Sequence, residues 1–360
     1  MNNHLAAEQA FRQQDHSAEG DAMIRARNIA NRKLYQGGMQ SLSEVIIGEE
    51  RAKVMLLALG AMGAQNGTAG IAIGPPGGGK SMLMEQGYRV FGIDPSRVAR
   101  VPHREDLSAS ELIGKSTKMT KTTRQPNGDE VVENISSEIS PIINGETQFV
   151  AFDEISRTSP LALNAAFKIM QDGGLEIVNS KGEIISSEFT FVLSSMNNHG
   201  TLFTHSLDPG IGARHAMGVI MGHREKGKLS EAGIKIWEDD PEIEDTKEIK
   251  KVIEADELVI VRNAINYVHM AAEERSLGME LTIGMLDELE NNGITIADPR
   301  TGLQLKRVAR TLALLSGAKA VNENHIREAV DYGMTARLGA LTRMTKAEID
   351  SSIAEVLNGS

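Results

Sequence analysis

Gly70-Ile71-Ala72-Ile73-Gly74-Pro75-Pro76-Gly77-Gly78-Gly79-Lys80-Ser81-Met82-Leu83-Met84-Glu85 reads as an apolar strand, a glycine loop and the opening turn of a helix. Such a loop surrounds an anion with peptide N–H groups and the positive end of a helix dipole. Glycine lets the backbone close on phosphate without Cβ interference. The Gly74-x4-Gly79-Lys80-Ser81 spacing places Lys80 for the β- and γ-phosphates of a nucleotide and the Ser81 hydroxyl for Mg²⁺. Gly74, Pro75, Pro76, Gly77, Gly78, Gly79, Lys80, Ser81 and Met82 are therefore the candidate cradle, with ATP and Mg²⁺ as its expected occupants.

Apolar strand candidates recur on both sides of this stretch, at Val98–Val101, Gln148–Phe152, Phe189–Ser194 and Ala216–Met221. They alternate with helical patterns, which argues for an α/β fold: a parallel five-stranded sheet covered by helices on both faces. Two segments break the alternation. Residues 117–136 centre on Asn127-Gly128, a strong short-range hairpin signal, and residues 175–187 alternate about Lys181-Gly182. Upstream, an amphipathic helix is expected over Glu49–Ala64. Beyond residue 225 strand patterns stop, and helical spacing over Asp256–Arg275, Gly302–Leu315 and Glu323–Leu338 predicts a smaller all-helical domain. The expected division is a helical extension at 1–42, an α/β core at 43–225, a helical lid at 226–345 and a tail at 346–360.

A phosphate loop alone only binds phosphate; hydrolysis also needs a metal-holding acid and a group that activates water. Phe149-Val150-Ala151-Phe152-Asp153-Glu154 supplies two adjacent acids at the end of an apolar strand. Asp153 is placed to hold Mg²⁺ through its water shell, and Glu154 to polarise the attacking water. Ligands of open parallel sheets bind at the carboxyl ends of the strands, so both acids should face the loop.

Composition narrows the partners. The net charge of −11 opposes a non-specific grip on nucleic acid, where basic surface supplies most of the affinity. With no cysteine and no metal-type histidine spacing, a structural zinc site is not expected. Neither a signal peptide nor a membrane-length apolar run is read, so a cytoplasmic location is expected.

Together these residues resemble an AAA+ ATPase, and more closely the MoxR group, over about Val45–Leu338. Pro141-Ile142 followed by Val150-Ala151-Phe152-Asp153-Glu154-Ile155-Ser156-Arg157 is similar to that group's Walker B region, and the two hairpins fall where its insertions lie. The resemblance implies that Ile47 and Gly48 precede the adenine pocket and that Asn197 is sensor 1, bonding the attacking water or γ-phosphate, with Asn198 adjacent to it. It implies that Arg214 is a finger on a neighbouring subunit's nucleotide, although Ala213-Arg214-His215 departs from the usual acid-Arg-Phe context. Arg300, in Asp298-Pro299-Arg300, matches sensor 2 and is expected to reach the γ-phosphate as the lid closes. Gly78 stands where leucine is common. The family further implies a homo-oligomeric ring, expected to be a hexamer, that remodels or matures a client protein in chaperone-like fashion, often with a separate von Willebrand factor type A partner. A nucleic-acid motor, a chelatase-like subunit and a nucleotide-switched scaffold with little turnover remain the alternatives.

Overall fold

The computed structural model describes residues 20–64, 67–102, 116–124, 130–138, 142, 146–158, 160–178, 184–198, 207–223, 248–296 and 298–359. Its centre is a five-stranded parallel sheet of β1 (Ala69–Ile73), β2 (Val98–Pro102), β5 (Phe149–Asp153), β8 (Phe191–Met196) and β9 (His215–Ile220), in the order β2-β5-β8-β1-β9. Each strand lies within a residue or two of its expected position. Their residues are almost all buried, as a parallel sheet covered on both faces requires. The two insertions are separate antiparallel hairpins, β3 (Ser116–Arg124) with β4 (Glu130–Glu138) and β6 (Gly174–Val178) with β7 (Ile184–Glu188). Their turns, including Asn127-Gly128 and Lys181-Gly182, lie outside the described residues.

Several helical expectations change. The segment expected as an extension at 1–42 contributes α1 (Asp21–Asn28), which continues through a π-helical stretch, Ile29–Gly37, into α2 (Gly38–Ser43). Ala26, Ala30, Leu34 and Leu42 are wholly buried, so residues 20–43 are part of the core; residues 1–19 lie outside the described residues. Helix α3 (Glu50–Met62) is not amphipathic. Met55 through Met62 are buried without a break, because the helix runs between the sheet and the C-terminal helices.

Helix α4 (Lys80–Gln86) follows the glycine loop, α5 (Pro160–Asp172) precedes the second hairpin, and the single turn α6 (Pro209–Gly212) leads into β9. The C-terminal region is helical as expected but differently divided. Helix α7 (Ala255–Ala264) ends in a 3₁₀ turn at Ile265–Tyr267, so no continuous helix covers 256–275. A long helix, α8 (Ala272–Asn291), then buries Leu281, Met285 and Leu289 at intervals of four residues. Helices α9 (Asp298–Ser316) and α10 (Glu323–Leu341) follow. The expected tail contains α11 (Lys346–Asn358), opened by a reciprocal capping box between Thr345 and Glu348 and packed on α8 and α10.

The lid helices share a continuous apolar core with one face of the sheet. Ala72, Met217 and Val219 belong to the same buried cluster as Val308, Leu312 and Val330. Contact between α10 and β9 is intimate: a Cβ added to Gly218 would lie 2.4 Å from the Ala336 Cα. A buried polar relay fastens the same junction. Arg337 donates to the Gln304 side-chain oxygen at 2.6 Å, and the Gln304 amide donates to the carbonyls of Gly67 and Ala213. No helix among the described residues is long and apolar enough to cross a membrane.

Candidate active site

The strand ends converge on Lys80. Gly74 N–H donates to the Met196 carbonyl at 3.2 Å and Met221 N–H to the Ile73 carbonyl at 2.7 Å, which sets the loop at the carboxyl ends of β8, β1 and β9. Gly77 and Gly79 have φ of 78° and 82°, the left-handed region where only glycine is unstrained. Gly78 faces Gly222 backbone to backbone; a Cβ on Gly222 would sit 2.5 Å from the Gly78 Cα. A Cβ on Gly78 itself would lie 3.1 Å from the Pro75 carbonyl oxygen and 3.2 Å from the Gly222 Cα, a tight fit where a leucine is common.

The Lys80 ammonium donates to the carbonyls of Gly74 at 2.7 Å and Pro75 at 2.8 Å, and to the Asn197 side-chain oxygen at 3.1 Å. The Asn197 amide nitrogen in turn donates to Glu154 Oε1 at 3.1 Å. One amide thus joins Lys80 to Glu154, the lysine and the acid that the sequence singles out. Burial pushes the Lys80 ammonium below its ordinary range, opposed by the nearby charges of Glu154 and then Asp153. Asn198, its sequence neighbour, is exposed whereas Asn197 is buried.

Two residues that sequence reasoning did not assign hold the acids in place. Ser195 Oγ donates to Asp153 Oδ1 at 2.5 Å and accepts from the Glu154 N–H at 3.0 Å. Arg157 places Nε 2.9 Å from Glu154 Oε2, an ion pair that is close but not aligned as a hydrogen bond. Glu154 itself has φ of 54°, a left-handed conformation uncommon outside glycine. Such strain is characteristic of functional positions held by their surroundings. Ser195 lies in β8, two residues before Asn197, and Arg157 lies one turn past the acid pair.

Glu49, directly after Ile47 and Gly48, is the second non-glycine residue with positive φ among the described residues, at 56°. Its carboxylate accepts from Gly222 N–H at 2.7 Å, tying this segment to the flank of the phosphate loop. Burial raises the Glu49 pKa against that hydrogen bond and the charge of Lys53. Ser81 and Met82 are exposed at the mouth of the loop.

The two distant arginines do not join this cluster. The Arg214 carbonyl accepts from Ala69 N–H at 3.2 Å, at the start of β1, so the strand's length of roughly 13 Å separates Arg214 from the start of the phosphate loop. Arg214 is buried against its own chain. It donates to Gln171 Oε1 at 2.6 Å and to the Gly210 carbonyl, and its guanidinium lies 3.1 Å from the Phe167 ring centroid. Burial, then repulsion from Arg300, lowers its pKa to about 10. Arg300 lines the same surface cavity as Arg214. Helix α9 therefore begins beside the opposite end of β1 from the loop, and Arg300 stands with Arg214 instead of with the loop of its own chain.

The donor set suits Mg²⁺ held largely through water. Asp153 and the Ser81 hydroxyl stand at the loop, and among the described residues no group of three or more acids and histidines forms a protein cage.

Residues 71–214 match the family model of the AAA domain of the dynein-related subfamily, a nucleotide-binding module. With the five-stranded parallel sheet, its phosphate loop and the helical lid, the fold is that of an AAA+ ATPase module. A solved structure from Cytophaga hutchinsonii described as a "putative ATPase" superposes with a TM-score of 0.64 at 18% identity, covering 94% of this chain and 96% of that one. At that identity the likeness establishes the shared architecture alone. The search of curated proteins finds no match.

Proposed function

We propose that this chain is an ATP-hydrolysing, MoxR-like ring ATPase that remodels or matures a partner protein. The observation that carries hydrolysis is the Asn197 bridge, 3.1 Å from Lys80 on one side and 3.1 Å from Glu154 on the other. It puts a phosphate ligand and a water-activating acid on one side-chain amide, at the carboxyl ends of the sheet strands.

In this reading Lys80 and the loop amides bind the β- and γ-phosphates, and Glu154 orients a water for in-line attack and takes its proton. Asn197 keeps that water between the acid and the phosphate. Ser81 and Asp153 hold Mg²⁺, which when bound neutralises charge developing on the phosphate oxygens. Arg214 and Arg300, at the far end of β1, belong with the nucleotide of a neighbouring copy, and Arg214 leaves Gln171 and Phe167 as that copy docks. The separation of the arginines supports a site shared between copies, whereas a hexameric count, a protein client and a von Willebrand factor type A partner draw their support from the resemblance alone.

Glu154→Gln should retain ATP binding while steady-state hydrolysis falls at least a hundredfold. Equal rates in the two proteins refute the enzymatic reading. Mixing Glu154→Gln with Arg214→Ala copies should restore part of the activity, because some interfaces regain a complete site. Full activity of a strictly monomeric preparation refutes the shared site.

A further inference from the structure

Helix α8 carries two apolar stripes. Leu281, Met285 and Leu289 are buried in the core, whereas Met279, Ile283 and Leu286 follow a second face at helical spacing. Met279 is 63% exposed and Ile283 59%, and Leu303 of α9 is 70% exposed. All four line a groove of about 650 Å³ between α8 and α9. Large apolar side chains left together at a surface mark a place where another segment binds.

The lining narrows the occupant. Thr282 is the one uncharged polar side chain lining the groove among the described residues, and its hydroxyl donates to the Gly278 carbonyl at 2.6 Å. The charged lining residues are Arg275 and Lys306, both cations. An apolar floor with a basic rim suits a peptide segment with apolar anchors and acidic flanks. Two lining positions are glycines inside helices, which costs helix stability relative to alanine. A Cβ on Gly302 would meet nothing within 4 Å, and one on Gly278 would meet only an Ile326 methyl at 3.9 Å. Packing within the described residues gives no reason for glycine at either position, whereas a segment lying in the groove gains close approach to the backbone there.

Residues 1–19, which lie outside the described residues, carry matching chemistry. Leu5 and Phe11 supply large apolar side chains, and Glu8, Asp15 and Glu19 outnumber Arg12. They also have the reach. The Asn31 side-chain amide donates to the Leu315 carbonyl at 2.7 Å, near the end of α9. Asp21 stands about 15 Å back from Asn31 along its helix, and the groove-lining Ala309 about 9 Å back from Leu315. The arm therefore starts within about 30 Å of the groove, whereas its length allows a span of up to about 60 Å.

We propose that residues 1–19 fold back and dock in this groove. Leu5 and Phe11 pack on the stripe of Met279, Ile283 and Leu303, and the acidic residues of the arm lie beside Arg275 and Lys306. The arm is thereby a built-in cover for the apolar face of the lid. The contact is made within one chain and involves neither the phosphate loop nor a neighbouring copy.

The chain contains no cysteine, so a full-length variant with Gln9→Cys and Thr282→Cys reports the contact through a short bismaleimide cross-linker. The cross-link should form within one chain, read by mass spectrometry on a mixture of isotope-labelled and unlabelled protein. Tethering alone gives a background set by effective concentration, so charge substitutions decide the outcome. Adding Leu5→Glu and Phe11→Glu should lower the yield about fivefold or more, and so should adding Ile283→Glu and Leu303→Glu instead. Ile283 and Leu303 are exposed, so glutamate there leaves the fold intact, and the arm pair repeats the test with the groove untouched. A yield that ignores either pair overturns the proposal. Cross-links found only between labelled and unlabelled chains also overturn it, and make a second copy the occupant. Failure here leaves the Glu154→Gln result unaffected, so the two readings are judged separately.

Discussion

At the scale of single residues, the site is a chain of short contacts in which each group restricts the next. Glu154 has one carboxylate oxygen on Asn197 and the other beside Arg157, while its own N–H is held by Ser195. A carboxylate in a left-handed backbone position has no intrinsic reason to stay there, so these contacts supply its orientation. Arg157→Ala should lower kcat about tenfold, equivalent to ~1.4 kcal/mol of barrier, with little change in affinity for a fluorescent ATP analogue. Arg157→Lys should recover part of the loss. An equal fall in affinity and kcat would assign Arg157 to folding rather than to positioning. Lys80, Asp153 and Glu154 were legible in the sequence because strand, loop and acid pair are local patterns. Ser195, Arg157 and the Glu49–Gly222 bond were not, because each depends on which separate segments meet once the sheet has formed.

Secondary-structure elements show the same division. The strands were readable from short apolar runs, yet helix α3 was misjudged, since periodicity cannot reveal that both faces of a helix are covered. Helix α11 had a local signal in Thr345-Lys346-Ala347-Glu348, a capping box that the structure forms reciprocally. Helix α9 is legible as a helix, but its placement is not, because which end of the sheet Arg300 stands at depends on contacts such as Gln304 with Gly67 and Ala213. The tight α10–β9 junction gives a sharp test. Gly218→Ala puts a methyl 2.4 Å from the Ala336 Cα and 2.5 Å from its nitrogen, backbone atoms that cannot rotate away. It should cost about 1–3 kcal/mol in urea unfolding. Gly302→Ala on α9, where an added Cβ meets nothing within 4 Å, should be neutral or stabilising by up to about 1 kcal/mol.

For the molecule as a whole, the buried His215 couples folding to acidity. Its Nδ1–H donates to the Ile211 carbonyl at 3.1 Å, and Nε2 accepts from the Ser194 hydroxyl at 3.0 Å, the pattern of a neutral ring. Burial holds its pKa at about 3, overriding the Ile211 bond, with Arg337 adding repulsion. The unfolded chain takes up a proton near pH 6.5 and the folded one only near 3. Stability is therefore complete above that upper value and falls as pH drops through the interval, by at most about 1.4 kcal/mol per pH unit. Unfolding midpoints measured between pH 7 and 4 should show this slope, and His215→Phe should flatten it even where the variant is less stable overall. An unchanged slope would place the acid sensitivity elsewhere.

The common core of sheet and lid has a mechanical consequence. Among the described residues, a lid that shares its interior with β1 and β9, and is pinned by Arg337 and Gln304, has no soft joint at that boundary. Movement started at the phosphate loop is then transmitted by the body as a unit. In an assembled ring the compliance would lie at the seams between copies, where Arg214 has to let go of its own chain, so each turnover would tilt one rigid wedge against the next instead of flexing a hinge within it.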